Sequence, residues 1–415
     1  MKKTFYGQRL RFARLYRGKS LNDLAEATGF SKQLLSQYEN GDSNPSPEKL
    51  FQLVSTLKFP YNYFLEEDRY HPQIGVTYFR SLMSAGKIER VAQAYKLLTI
   101  GELYVALQEF IDFPKLNIPS VIFDKPDSAI DDAIHDECMA QIEGCAKEAR
   151  CFWGLGDEPV KSMQFLMEQN GIIVTGYDTN TDNIDAFTQR PLIDGTPLYI
   201  VAVDQGEKSE CRIRFDLAHE LAHILLHPWS EESESELSKE EFKLQEAQAN
   251  YFASALLLPA ESFKKDASLY PTDLNYYLEL KKIWRVSVAA MLYRAHTLKV
   301  ITTGQYEYMM RQYSKRGWRR AKREPGDTPY FLKDNIFQGS IDLLLNHGVT
   351  VSMILKHFSK RGINFPPEEI EELLHLHTGT LAVEEPRGSI LKLKPMIPYQ
   401  GDMNGTSANT EPEES

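Results

Sequence analysis

Two histidines four residues apart, with a glutamate directly after the first, constrain this chain more than any other feature. The stretch RFDLAHELAHILLH occupies residues 214–227. On a helix, positions i and i+4 stand one turn apart on the same face, so His219 and His223 bring two imidazoles to one point. Glu220 sits beside that point, within reach of a water held there. Phe215, Leu217, Leu221, Ile224 and Leu225 supply the apolar positions that such a helix needs to pack on a core. Two imidazoles converging from one helix suit a shared zinc ion.

A second stretch, EAQANYFASALLLP over residues 246–259, reads as another helix. Catalytic zinc takes three protein ligands and leaves the fourth position to water, and two His with one Glu is a standard set. Glu246 supplies the carboxylate. Asn250, one turn on and on the same face, is placed to accept the spare N–H of a ligand histidine and fix its orientation. His227 lies two turns beyond His219. Three turn-spaced histidines on a straight helix do not converge on one ion, so His227 is expected to cap the helix end before Pro228 or to touch substrate.

These two helices resemble the ImmA/IrrE family of zinc metallopeptidases, whose pattern runs R-F-x-x-A-H-E-x-x-H-x-x-x-H and then E-x-x-A-N-x-F-A-x-x-L-L-x-P. Ala222 departs from it, standing where many relatives carry Gly. The longer metzincin spacing with its bending glycine is absent. The resemblance implies zinc held by His219, His223 and Glu246, with Glu220 as catalytic base.

At 415 residues the chain exceeds one ordinary core and predicts two or three domains. Its net charge of −11 is unevenly spread: residues 1–66 carry ten Lys/Arg against six Asp/Glu. The acidic run SEESESELSKEE from Ser230 reads as a solvated loop between the two zinc helices. Four cysteines without a C-x-x-C pair suit reduced, buried thiols. The N-terminus lacks an apolar signal region and no window approaches 18 uninterrupted apolar residues, so a cytoplasmic protein with no membrane span is expected.

The N-terminal residues carry strong turn chemistry. A first helix is expected over 7–16; Ser20 is then an N-cap for a helix over 21–28, Gly29 ends it, Ser31 opens the next, Gly41 stops that one, and Ser46-Pro47 opens a fourth. A short segment over 61–65 closes five helices. Two helices joined by a tight glycine turn describe a helix-turn-helix. The wording Leu24-Ala25, Gly29, Gln37-Tyr38-Glu39-Asn40-Gly41 and Pro45-x-Pro47 resembles the XRE, lambda-repressor-like family. Base contacts are expected from Ser31, Lys32, Gln33, Ser36 and Gln37 at the start of the recognition helix. Arg9, Arg14 and Asn40 are expected to face outward and touch phosphates. Such modules work as two-fold pairs on half-sites, so a homodimer on a double-stranded operator is expected.

Residues 71–79 read as a connector and 81–112 as a long helix that Gly101 kinks. Strands are expected at 172–175 and 197–204, and the resemblance makes the second a substrate-binding edge. A helix–turn–helix-shaped segment over 280–298, capped by Ser287, closes the peptidase domain in relatives. Basic residues cluster over 311–323. The fold class expected is mainly α with a small β-sheet (α+β). It comprises a lambda-repressor-like domain at 1–68, a helical linker at 69–128 and a zincin-like peptidase at 129–300. A helical region at 301–394 and a disordered tail at 395–415 complete the chain.

The function expected is a DNA-binding transcriptional regulator carrying a zinc endopeptidase, whose substrate family precedent makes a repressor or regulatory protein. The alternatives are a non-proteolytic transcription factor or an antitoxin, with the zinc domain a sensor or structural module. Glu220 weighs against the first, because a structural site needs ligands but no base; a small neighbouring toxin gene would signal the second.

Overall fold

Three serines punctuate the N-terminal module. A computed structural model describes residues 4–66, 73–78, 86–123, 136–177, 186–204, 206, 208–227, 229, 238–319, 324–330, 332 and 335–382. Helix α1 (Gly7–Tyr16) comes first. Ser20, Ser31 and Ser46 then accept hydrogen bonds from the backbone N–H of the third residue of α2 (Leu21–Thr28), α3 (Lys32–Asn40) and α4 (Pro47–Leu57). Gly29 and Gly41 end α2 and α3 with φ of 69° and 80°. Tyr61–Leu65 is a 3-10 turn, so the expected fifth helix is shorter and tighter than an α-helix. Leu10, Leu24, Leu35, Leu53 and Phe64 fill this core.

The connector expected over 71–79 is instead a strand, β1 (Gln73–Tyr78). It joins β2 (Ile173–Tyr177), β3 (Ala186–Ile193), the two-residue β4 (Thr196–Pro197) and β5 (Ile200–Asp204) in one sheet of order β1-β3-β5-β2, with β4 on β3. β2 and β5 run parallel, while β3 runs antiparallel to both β5 and β1. β2 and β5 are buried at every position because helices cover both sheet faces. Strand alternation sorts their side chains: Val174, Val201 and Val203 enter one core, and Ile173, Tyr177, Ile200 and Ala202 the other.

The second of these cores lies under α5 (Lys87–Leu107), whose Leu97, Ile100, Leu103 and Tyr104 pack there. Gly101 does not interrupt this helix. A Cβ at Gly101 would lie 2.5 Å from Ile193 Cδ1, so the glycine permits close approach of helix to sheet. The other face of α5 meets the N-terminal module, where Tyr95 stacks edge-on against Phe12 at 5.0 Å.

The first core gathers α6 (Asp136–Phe152), α7 (Met163–Glu168), α8 (Glu210–Leu226) and α9 (Lys239–Leu257). Helices α10 (Ala260–Ala267), α11 (Leu274–Trp284), α12 (Val288–Thr297) and α13 (Thr303–Lys315) complete it. The segment over 280–298 spans α11 and α12 and is built into this core. Arg294 on α12 is fully buried, bonded bidentately to Glu143 on α6 at 2.6 and 2.9 Å and donating to the Leu258 carbonyl. Cys138, Cys145 and Cys211 are buried thiols, whereas Cys151 is exposed, against the expectation for all four.

Helices α14 (Ile336–Asn346), α15 (Val351–Lys360) and α16 (Pro367–Leu374) close the second core. They also reach the N-terminal module. Arg17 pairs with Glu369 at 2.7 and 2.9 Å, and Phe365 lies against Tyr16 and Phe59 at 5.3 and 5.1 Å. Residues 230–237 of the acidic run, basic residues 320–323 and the tail expected at 395–415 lie outside the described residues, while the end of that run is not loop: Ser238 caps α9 and Lys239–Glu241 form its first turn.

Candidate metal centre and nucleic-acid interface

Helices α8 and α9 both begin at a serine N-cap, Ser209 and Ser238, and pack against each other. That pairing brings His219 and His223 from α8 to Glu246 from α9. The two imidazole Nε2 atoms are 3.0 Å apart. Glu246 Oε1 lies 3.3 Å from His223 Nε2, and Oε2 lies 3.7 Å from His219 Nε2. One potential ligand atom from each residue falls within 4.8 Å of the others, and all three residues are buried.

The outer ring nitrogens decide which way the lone pairs point. Asn250 Oδ1 is 3.1 Å from His219 Nδ1; a carbonyl oxygen only accepts, so Nδ1 carries the proton and Nε2 presents its lone pair. His223 Nδ1 is 2.8 Å from His227 Nδ1, and His227 Nε2 is 3.1 Å from Gln248 Oε1. Gln248 Oε1 accepts from His227 Nε2, so His227 Nδ1 accepts from His223 Nδ1 and the lone pair of His223 Nε2 also faces the centre. His227 is therefore the C-cap residue of α8 and a brace for His223.

Two neutral imidazoles and one carboxylate, buried and convergent, are a donor set suited to a zinc-like divalent cation. Placing a carboxylate in such a site without a cation costs several kcal/mol by order of magnitude. The residues present fit the ion.

Glu220, 2 % exposed, lies beside the pair. Thr188 on β3 donates to Glu220 Oε2 at 2.6 Å. Sequence reading missed Thr188, because β3 (AFTQRPLI) carries a polar centre and a proline in place of a strand alternation. Gln248 was missed too, although it sits on the Glu246 helix. Arg214, the first residue of the sequence motif, is buried and donates to the carbonyls of Val160 and Lys161, holding α8 to the loop before α7; burial lowers its pKa to about 10.

The strand expected to receive substrate, at 197–204, does not offer an edge. Its main part, β5, is paired on one side to β3 and on the other to β2.

In the N-terminal module, Ser31, Lys32 and Gln33 at the start of α3 are exposed, as is Asn40 at its end; Ser36 and Gln37 are half-buried. Two of the expected phosphate contacts are corrected. Arg14 is buried, bonded bidentately to Glu39 at 2.6 and 2.9 Å and to the Lys19 carbonyl at 2.8 Å. Arg9 is buried as well, donating to the Gly362 carbonyl at 3.0 Å with its guanidinium 4.8 Å from the Tyr63 ring centroid. Both charges are used inside the protein, where no phosphate reaches them.

Comparison with known proteins matches residues 167–296 to the IrrE N-terminal-like domain and residues 7–68 to a helix-turn-helix domain. Over 61 residues the chain is 39% identical to the HTH-type transcriptional regulator SutR of Escherichia coli (strain K12), covering 15% of this chain and 34% of that protein. The chain thus spans about a third of that relative's length. Among the described residues no helix is long and apolar enough to cross a membrane. The chain joins an XRE-type helix-turn-helix DNA-binding domain to a peptidase domain of the ImmA/IrrE kind.

Proposed function

We propose that this protein is a cytoplasmic, sequence-specific transcriptional regulator whose peptidase domain is a zinc endopeptidase acting on a repressor or other regulatory protein. The observation that carries the reading is the convergence of His219, His223 and Glu246 with Glu220 fixed at their side. His219, His223 and Glu246 would hold zinc, with Asn250 and His227 orienting the two rings. When bound, zinc supplies Lewis acidity, lowering the pKa of water and polarising a peptide carbonyl. Glu220 takes the proton of the attacking water and returns it to the leaving amine. The Thr188 hydroxyl fixes the rotation of that carboxylate, so its proton is exchanged at a constant position.

On the DNA side, α3 enters the major groove, with Lys32 directed to guanine and Gln33 or Gln37 to adenine, the pairings that bidentate and charged donors favour. Ser31 and Ser36 serve base edges or phosphate, and Asn40 a phosphate. A homodimer reads two half-sites.

The test compares wild type with Glu220→Gln for zinc content, operator binding and cleavage of a panel of helix-turn-helix repressors. Zinc and DNA binding are retained, and cleavage falls about 10²- to 10⁴-fold, the range for loss of a general base. Undiminished cleavage by the variant ends the proposal.

A further inference from the structure

Strand β1 lies antiparallel along β3, with Val76 opposite Arg190, Thr77 opposite Gln189 and Tyr78 opposite Thr188. Thr188 is the residue that hydrogen-bonds Glu220, so the C-terminal end of β1 meets the position on β3 nearest the proposed base. β3 pairs antiparallel with β5, which separates it from β2, and is flanked by β1 on its other side. Adding a strand to a sheet edge is how an extended polypeptide is recognised by main-chain pairing. Here the added strand comes from the chain itself, starting seven residues after Glu66, the last described residue of the N-terminal module.

The strand pairs irregularly. Its sequence, QIGVTY, carries a glycine in the middle, and the register shifts between Gln73 and Val76, leaving Val76, Thr77 and Tyr78 in continuous pairing. As an outer strand of six residues it is paired along one side only, so it can leave the sheet without breaking the pairing of β3 with β5. Meanwhile the centre is closed: His219 is 3 %, His223 2 % and Glu220 2 % exposed. A polypeptide main chain does not reach Glu220 in this arrangement.

We propose that residues 73–78 occupy in cis the sheet edge on which the peptidase binds extended polypeptide, so that substrate pairs with β3 only after the linker strand leaves. The inference rests on the peptidase reading for its meaning, but its geometry is testable without chemistry. The strand begins seven residues after the last described residue of the DNA reader, so the chain itself links the edge that the peptidase uses to the reader.

The experiment uses full-length Glu220→Gln protein, which removes cleavage from the measurement, and a fluorescent peptide of residues 71–82 (HPQIGVTYFRSL) as probe. Three linkers are compared: native, Val76→Pro with Thr77→Pro, and Val76→Cys with Arg190→Cys in a Cys151→Ser background. In an antiparallel pair alternate N–H groups face the partner strand, so two adjacent prolines remove at least one bond and the ring geometry disfavours the rest. The double-proline protein binds the peptide at least tenfold tighter than the native linker, and backbone amides of 186–193 exchange faster in it. The disulfide protein binds no peptide when oxidised and recovers on reduction, which separates pinning from misfolding. Equal peptide affinity in all three proteins, with unchanged exchange over 186–193, overturns the proposal. Loss of peptidase activity in a separate assay of the Glu220 protein bears on the base alone.

Discussion

Thr188 donates its hydroxyl hydrogen to Glu220 Oε2 across 2.6 Å, tying strand β3 to helix α8 beside His219 and His223. Hydrogen bonds to charged groups contribute about 1.5–3 kcal/mol. Thr188→Val keeps the shape and removes the donor. We expect kcat for peptide cleavage to fall roughly ten- to hundredfold, with KM within about twofold and zinc content unchanged. Thr188→Ser restores most of the rate. If the valine variant is as fast as wild type, the hydroxyl has no positioning role.

His227 acts on the centre through His223. Replacing it by phenylalanine keeps a ring of similar size and removes the acceptor for His223 Nδ1. Partners of this kind typically account for 10- to 100-fold in metal affinity. Zinc competition against a chromophoric chelator is expected to show a loss of about that size for His227→Phe, and a smaller one for Gln248→Leu. Unchanged affinity in both would mean that the ring orientation is fixed by packing alone.

What was legible in the sequence was local. Ser20, Gly29, Ser31, Gly41 and Ser46-Pro47 specify helix ends through contacts a few residues away, and the structure places the ends there. The convergence of His219 and His223 follows from helix periodicity. Long-range pairing was not legible. β1 is a broken apolar run whose partner lies more than a hundred residues away. β3 hides its identity because Thr188 faces Glu220 and Gln189 is fully buried, so polar letters occupy interior positions. Arg9 and Arg14 looked like solvent-facing charges on α1. Their burial depends on Gly362 and Glu39, which no helical pattern reveals.

The correction at Arg14 separates stability from recognition. Removing one partner of a buried ion pair strands the other charge at a cost of about 3–5 kcal/mol. Arg14→Ala is therefore expected to unfold at markedly lower urea, while its folded fraction keeps the wild-type salt dependence of DNA binding. Lys32→Ala is expected to do the reverse, with stability within about 0.5 kcal/mol and operator affinity weakened by about 1–3 kcal/mol. A steep loss of salt dependence in Arg14→Ala would return that residue to the DNA surface.

Glu168, at the end of α7, gives the fold a pH dependence of defined sign. Burial raises its pKa from 4.5 to about 7, against the lowering effect of hydrogen bonds from Gln164 and the Ile336 backbone. The folded state thus keeps a proton that the unfolded chain releases. Its contribution is complete below pH 4.5 and is lost as pH rises towards 7, by about 3 kcal/mol in all. Glu168→Gln fixes the neutral form. Urea unfolding at pH values about one unit below 4.5 and about one unit above 7 is expected to show equal stability at the lower pH and a more stable variant at the higher.

Arg17 and Glu369 join the DNA reader to the C-terminal helices by a bidentate pair, each side chain about one-fifth exposed. Arg17 also donates to the Leu57 carbonyl at 2.8 Å and stacks 5.0 Å from the Phe59 ring centroid, so Arg17→Ala alone removes more than the ion pair. A double-mutant cycle with Glu369→Ala isolates the shared part. Partial exposure discounts the pair relative to a buried one, and the coupling expected is about 1–2 kcal/mol in low salt. It shrinks in 1 M salt, where the Debye length is about 3 Å. Additivity of the two single variants within about 0.3 kcal/mol would show that Phe365 and its aromatic neighbours, and not the charges, hold the reader in place.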